Sequence, residues 1–155
     1  MVPREGAATM VTPVLPVCAS APSAAKRMRD ASERGGVSKS SQSAAVSREN
    51  AEHYRWGDDC DAWYLVKDPE FHVIEELIPA GAAEIRHHHE RAQQFFFILT
   101  GEVLMEIEGK TTLVAAGSGI RVMPGQKHQI RNPSSGPIRL LVVSHPPSHG
   151  DRINE

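Results

Sequence analysis

From Phe71 onward the sequence is a series of short apolar runs, each ended by a turn residue. The run FHVIEELI is followed by the turn PAG, and QFFFIL is followed by TG. AEIRHHH lies between them, and EVLMEIEG, TTLVAAG, IRVMPG, HQIRN and IRLLVVS come later. Short strands that recur every 8–12 residues or so, with almost no helical periodicity, are typical of an antiparallel sandwich or barrel. The sequence therefore predicts an all-β fold.

Residues 1–50 differ in composition from the rest of the chain. They are rich in Ala, Ser and Pro, and a segment such as SKSSQSAAVS buries too little apolar surface to offset its loss of conformational entropy. We therefore predict a disordered tail at residues 1–50 and a single folded domain at residues 51–155. The final segment, SHPPSHGDRINE, is interpreted either as a lid over the domain or as a frayed terminus, and the second interpretation is favoured.

Charge and composition argue against several classes of function. The 155-residue chain has a formal net charge of -2, so no basic excess points to a nucleic acid or an anionic membrane as partner. No apolar run approaches the roughly 18 residues of a membrane span. Cys18 and Cys60 have neither paired nor CxxC spacing, which argues against a disulfide framework and a structural zinc site. A cytoplasmic location is predicted.

Three consecutive histidines occur in the predicted strand AEIRHHH. Because side chains alternate along a strand, His87 and His89 share one face and His88 points to the other. Two imidazoles on one face can converge on a single ion. Gln94 comes early in the next strand, and His128 begins a later one. The pattern fits a metal site, an acid–base site or a chance of composition.

Two segments of the chain resemble the sequence motifs of the cupin family. The first family motif is a glycine, five residues, His-x-His, three or four residues, a glutamate, six residues and a glycine. Its counterparts here are Gly81, His87, His89, Gln94 and Gly101. The second motif is a glycine, five residues, Pro-x-Gly, two residues, a histidine, three residues and an asparagine. Its counterparts here are Gly117, Met123, Gly125, His128 and Asn132.

This resemblance implies a small single-domain cupin of the RmlC-like type, an antiparallel jelly-roll β-barrel. It also implies one divalent transition metal (Fe, Mn, Ni, Co or Zn) held by His87, His89 and His128, with Gln94 as the fourth ligand. In the family a glutamate at the Gln94 position is the only anionic ligand. A glutamine carbonyl can coordinate but is neutral, so we expect a stronger Lewis acid and a weaker intrinsic metal affinity.

Strand alternation and the position of the motifs nominate further residues for substrate binding. Four apolar side chains are predicted to face the inside of the barrel: Phe96, Ile98, Met105 and Ile130. Arg121 and Arg131 lie near the second motif, where a guanidinium could hold a carboxylate or phosphate. Glu75 is a candidate general base if it points inward.

The most direct interpretation is a metal-binding cupin that acts on a small polar molecule, carboxylate-like or sugar-like, inside the barrel. The enzymes suggested by the resemblance are isomerases, lyases or dioxygenases. The alternative is a non-catalytic cupin that binds or senses a small ligand or sugar, with or without a metal. Phe95 and Phe97 face away from the interior, which suggests either a homodimer contact or packing against the segment Trp56–Tyr64.

Overall fold

A computed structural model describes residues 44–57 and 59–155 of the chain. These residues form eleven β-strands and no helix, so none of them belongs to a helix that could cross a membrane. The strands are β1 (Glu52–Trp56), β2 (Cys60–Lys67), β3 (His72–Ile78), β4 (His87–His89), β5 (Gln93–Thr100), β6 (Glu102–Ile107), β7 (Lys110–Ala115), β8 (Gly119–Val122), β9 (His128–Arg131), β10 (Ile138–His145) and β11 (Arg152–Asn154).

The strands form two sheets, in which every pairing is antiparallel. One sheet has the strand order β1-β2-β3-β10-β5-β8, and the other has β11-β4-β9-β6-β7. Sequence neighbours are often separated in space, as where β10 lies between β3 and β5. This is the arrangement of an antiparallel jelly roll, and the predicted all-β fold is confirmed.

The core consists of the alternate side chains that the two sheets turn toward each other. On β5, Phe96 and Ile98 are buried, whereas Phe95, next to Phe96 on the opposite face, is 41% exposed. Ile78 and Leu140 are also fully buried and belong to the same apolar cluster. Full burial of one such side chain contributes about 1.5–3 kcal/mol relative to leaving it exposed. The apolar alternation read from the sequence is therefore the pattern that fixes the strand register.

Three strands were not predicted, and one is shorter than predicted. β1 and β2 precede the first predicted run and form a hairpin at the edge of the larger sheet. The run AEIRHHH is a strand only at His87–His89, because Ala83 forms an isolated bridge to Arg131 and the residues between are irregular. β11 lies in the segment that was predicted to fray.

The prediction of a frayed C-terminal segment is wrong, because that segment pairs with β4. Arg152 lies opposite His89 and Asn154 opposite His87 in the strand register. The preceding Asp151 is buried, and one of its carboxylate oxygens accepts hydrogen bonds from the backbone N–H groups of Arg91 and Ala92 at 2.9 and 2.8 Å. The carboxylate anchors the segment by satisfying two backbone donors.

The predicted tail falls mainly outside the described residues, as does Cys18. Residues 44–50 are described and form a hydrogen-bonded turn, in which the Arg48 guanidinium lies 5.3 Å from the ring centre of Trp63. The division at residue 50 therefore stays a prediction. The same holds for the cytoplasmic location.

The outward face of β5 carries Phe95 and Phe97, whose ring centres are 6.4 Å apart. Phe95 covers Gly119 so closely that a Cβ there would lie 2.4 Å from the phenylalanine ring. The segment Trp56–Tyr64 is remote from them in the sheet, because β3 and β10 separate β2 from β5. Packing of the two phenylalanines against that segment was therefore a wrong interpretation, and the homodimer contact stays a prediction.

Replacing Asp151 by alanine is expected to lower the free energy of unfolding by about 1–3 kcal/mol, because two buried backbone donors lose their acceptor. Urea denaturation followed by circular dichroism measures the change. Asp59→Ala is the control, since the Asp59 side chain is 73% exposed, and it should change stability very little. Equal stability of the two variants would contradict the anchoring role of Asp151.

Candidate metal centre

Three histidines from two neighbouring strands come together inside the barrel. His87 and His89 lie on β4, and His128 lies directly opposite His87 on β9. All three are buried, and each offers a nitrogen within 4.8 Å of those of the other two. His88 is on the opposite face of β4, where it contacts Glu155. The prediction that His87 and His89 share one face of the strand and His88 lies on the other is confirmed.

Each of the three imidazoles is oriented by one hydrogen bond to a backbone carbonyl. The Nδ1–O distances are 2.9 Å for His87 to Ile85, 3.1 Å for His89 to Asp151 and 3.0 Å for His128 to Gln126. A carbonyl only accepts, so Nδ1 must carry the proton and Nε2 keeps its lone pair. This tautomer is the form in which an imidazole binds a metal through Nε2.

Burial keeps these histidines neutral. It lowers the pKa of His87 to about 4 and that of His128 to about 4, and it also lowers the pKa of His89. Because an ordinary histidine has a pKa near ~6.5, all three rings are unprotonated at neutral pH. The cluster therefore presents three lone pairs without having to lose protons.

Gln94 on β5 joins the cluster through its amide oxygen, which lies 3.1 Å from His128 Nε2. The amide nitrogen is 3.4 Å from Ser144 Oγ, to which it donates. This amide oxygen and this imidazole nitrogen are both potential metal ligands. Two ligands of one ion with bonds of about 2.1 Å at right angles lie about 3 Å apart. The four side chains therefore fit a divalent metal.

A cavity of about 180 Å³ adjoins His87, His89 and Gln94. Its remaining walls come from β1, β3, β10 and the segments before β4 and around β11. The apolar and aromatic part of the lining is Tyr54, Trp56, Ile74 and Val142. The other polar residues of the lining are Glu76, Glu84, Ser148, His149 and Arg152. The cavity thus combines the histidine cluster with two carboxyl groups.

The two glutamates differ in their partners. Glu84 forms an ion pair with Arg152, with 2.7 Å between carboxylate oxygen and Nη1. Burial raises the pKa of Glu84, and Arg152 opposes that shift. Burial, helped by the negative charge of Glu84, raises the pKa of Glu76 to about 8. At neutral pH Glu76 therefore holds a proton, which it can donate to a molecule in the cavity.

None of the six residues predicted to bind substrate lines this cavity, so that role stays a prediction for each of them. Phe96, Ile98, Met105 and Ile130 point inward but are buried in the apolar core, where Phe96 packs against the His128 ring at 6.0 Å between centres. Arg121 and Arg131 are exposed, and Arg121 donates to Gln93. Alternation gives the face of a residue but not its depth along the barrel.

Sequence reasoning missed both acidic residues that face the cavity, Glu76 and Glu84. Glu75 was the candidate base, but it lies on the outer face, where its carboxylate pairs with Arg139 at 2.7 Å. Its neighbour Glu76 lies on the inner face with Ile74 and Ile78. The sequence HVIEELI already indicated that Glu76 faces inward, because Glu76 lies two residues from an apolar residue on each side and alternate residues of a strand share a face.

Comparison with known proteins agrees with this geometry. The cupin domain family matches residues 73–144. Protein MJ1618 of Methanocaldococcus jannaschii is 32% identical over 80 residues, which are 51% of this chain and 64% of that protein. Mannose-1-phosphate guanylyltransferase of Klebsiella pneumoniae is 27% identical over 119 residues, 76% of this chain and 24% of the enzyme. The chain therefore spans less than two thirds of the length of either relative.

Among solved structures, an RmlC-like cupin from Shewanella frigidimarina has a TM-score of 0.60 at 22% identity, covering 66% of this chain and 89% of the other. At that level of identity the likeness concerns the fold. The family match over residues 73–144, the jelly-roll topology and the histidine cluster lead to one conclusion: the protein contains a cupin domain, and this domain has an RmlC-like fold.

Proposed function

We propose that the protein binds one divalent transition metal through His87, His89, His128 and Gln94, and that it acts on a small polar molecule in the adjoining cavity. The observation that carries this proposal is the convergence of three imidazole Nε2 atoms beside a cavity that also contains the buried Glu76 carboxyl group, whose pKa burial raises to about 8. We further propose that the reaction is an isomerisation or elimination that requires transfer of a proton.

The ligand set is compatible with Fe, Mn, Co, Ni or Zn. When bound, such an ion would act as a Lewis acid that polarises an oxygen of the substrate. The histidines would hold the ion and Ser144 would orient the Gln94 amide so that its oxygen faces His128. The contacts of Gln94 with Ser144 and His128 on which these roles depend are present in the structure.

Glu76 is the proposed general acid. Its pKa of about 8 lets it donate a proton at neutral pH and take one back in a later step. A carboxyl group with such a pKa beside the proposed metal site supports a reaction in which a proton is transferred to the substrate. This favours the isomerase or lyase over the dioxygenase among the expected activities.

The cavity also bears on the kind of substrate. A volume of about 180 Å³ is smaller than the ~300 Å³ of a typical drug-sized pocket, so the molecule has about the size of one sugar ring or a small acid. The Trp56 indole N–H is buried and has no acceptor among the described residues, so it can donate to a substrate oxygen. The guanidinium of Arg152 is engaged with Glu84, Asn154 and a backbone carbonyl.

The metal content of the protein is the first prediction. The untagged protein should retain about one equivalent of a single transition metal, and the His87→Ala/His128→Ala variant should lose it, because only one of the three imidazoles remains. Elemental analysis by mass spectrometry measures both. The absence of metal after reconstitution with iron, manganese, cobalt, nickel and zinc would contradict the metal centre and would favour a metal-free binding protein.

The second prediction concerns Glu76. On a panel of hexose phosphates, unsaturated uronates and small hydroxy acids, turnover or solvent-deuterium exchange followed by NMR should fall about 100-fold or more in Glu76→Gln. Metal content should be unchanged. The rate should also decline as the pH rises through about 8, because Glu76 then loses the proton that it donates.

Glu75→Gln is the matched control, because it changes the neighbouring glutamate on the outer face and should keep the activity. His89→Ala should abolish turnover in a folded protein; an activity that survives this change would refute metal catalysis. Saturable binding of a panel compound without turnover or exchange would instead identify the alternative, a non-catalytic cupin that binds or senses a small ligand or sugar.

A further inference from the structure

We propose that Glu84 supplies the negative charge that a neutral Gln94 does not bring to the metal centre. This inference rests on the proposed metal binding and concerns how the charge of the ion is balanced. Three neutral histidines and a glutamine amide leave a divalent ion with its full charge of +2. One additional carboxylate close to the ligands brings a negative charge to the centre, as a glutamate at position 94 would, and the guanidinium of Arg152 offsets part of it.

Glu84 lies close enough to the histidine cluster for this role. Its carboxylate oxygen is 3.7 Å from His87 Nε2. His87 donates its Nδ1 proton to the Ile85 carbonyl, so Nε2 turns a lone pair toward that oxygen. Two electron-rich atoms at this separation repel each other unless a positive charge lies near both, and in the structure Arg152 supplies such a charge to Glu84. The Gln94 amide oxygen likewise lies 3.1 Å from His128 Nε2, and both contacts are made at the one histidine cluster.

The backbone and an arginine hold Glu84 in place. Its N–H donates to the Ile130 carbonyl at 2.9 Å, which ties the irregular segment before β4 to β9. Arg152 Nη1 holds the carboxylate at 2.7 Å, and the glutamate side chain is only 14% exposed. Arg152 in turn donates to the Ile85 carbonyl and to Asn154, so the guanidinium is fixed. The carboxylate is therefore positioned at the cluster before any ion arrives.

Glu84 is absent from the cupin motifs, in which position 84 is one of the five unspecified residues between Gly81 and His87. The anionic group is thus a carboxylate in the segment before β4, instead of a glutamate at the start of β5. We describe Glu84 as a charge-balancing residue that acts beside the ligands. Changes to groups that support metal ligands typically alter metal affinity about 10–100-fold.

The experiment is a double-mutant cycle with metal affinity as its readout. Zn²⁺ and Mn²⁺ are titrated by competition with a chromophoric chelator into the wild type, Glu84→Gln, Gln94→Glu and the double variant. Glu84→Gln should weaken binding about 10–100-fold. Gln94→Glu should restore most of that loss in the Glu84→Gln background, because the missing charge returns at another position.

Glu106→Gln is the matched control. Glu106 is another partly buried glutamate paired with an arginine, Arg86, at 2.9 Å, but it does not line the cavity. Its replacement should leave the metal affinity within about twofold of wild type. Arg152→Gln removes a positive charge beside Glu84 and should keep or raise the affinity, whereas a purely structural role of the ion pair predicts a loss.

The outcomes separate the two proposals. Wild-type protein that binds neither ion overturns the proposed metal centre and this inference with it. Wild-type binding that Glu84→Gln leaves unchanged, or that Gln94→Glu does not rescue, overturns the charge-balancing role alone. If Glu84→Gln does not fold, as judged by circular dichroism, Glu84→Gln/Arg152→Gln is compared with Arg152→Gln, which isolates the carboxylate without its partner; equal affinity of these two variants likewise overturns the role.

Discussion

The candidate site depends on three hydrogen bonds from imidazole Nδ1 atoms to backbone carbonyls. They fix the tautomer and the direction of each ring, so that the Nε2 atoms converge. His87 and His128 each use the carbonyl two residues earlier in the chain, so their orientation is set locally at the start of a strand. His89 uses the carbonyl of Asp151, 62 residues away. The cluster is therefore complete only when the C-terminal segment is paired with β4.

Much of the fold was predictable because the alternation of apolar residues fixes both strands and register. The runs from FHVIEELI to IRLLVVS became strands β3 to β10, and the parity of the triplet separated His88 from its neighbours. β11 was missed because a three-residue strand has no periodic pattern; its pairing follows from the burial of Asp151 and the contacts of Arg152. The alternation of side chains along a strand likewise could not distinguish core residues such as Ile98 from residues that line the cavity.

The chemistry of the cavity comes from residues outside the recognised motifs. Glu76 is on β3, Glu84 precedes β4 and Arg152 begins β11. The motifs supply the proposed metal ligands and the turn residues, which many cupins could share, whereas these charged residues determine which protons and charges this particular cavity offers. Burial raises the pKa values of both glutamates, and a positive charge beside them would favour their ionised forms.

The long-range bond to His89 also has a consequence for biosynthesis. A nascent chain that has left the ribosome only as far as Ser144 already contains all four proposed ligands, yet it lacks the carbonyl that orients one of them. It also lacks Arg152, so Glu84 would be without its guanidinium partner. The mature geometry of the proposed centre therefore requires that the segment from Asp151 to Arg152 has also emerged and paired with β4.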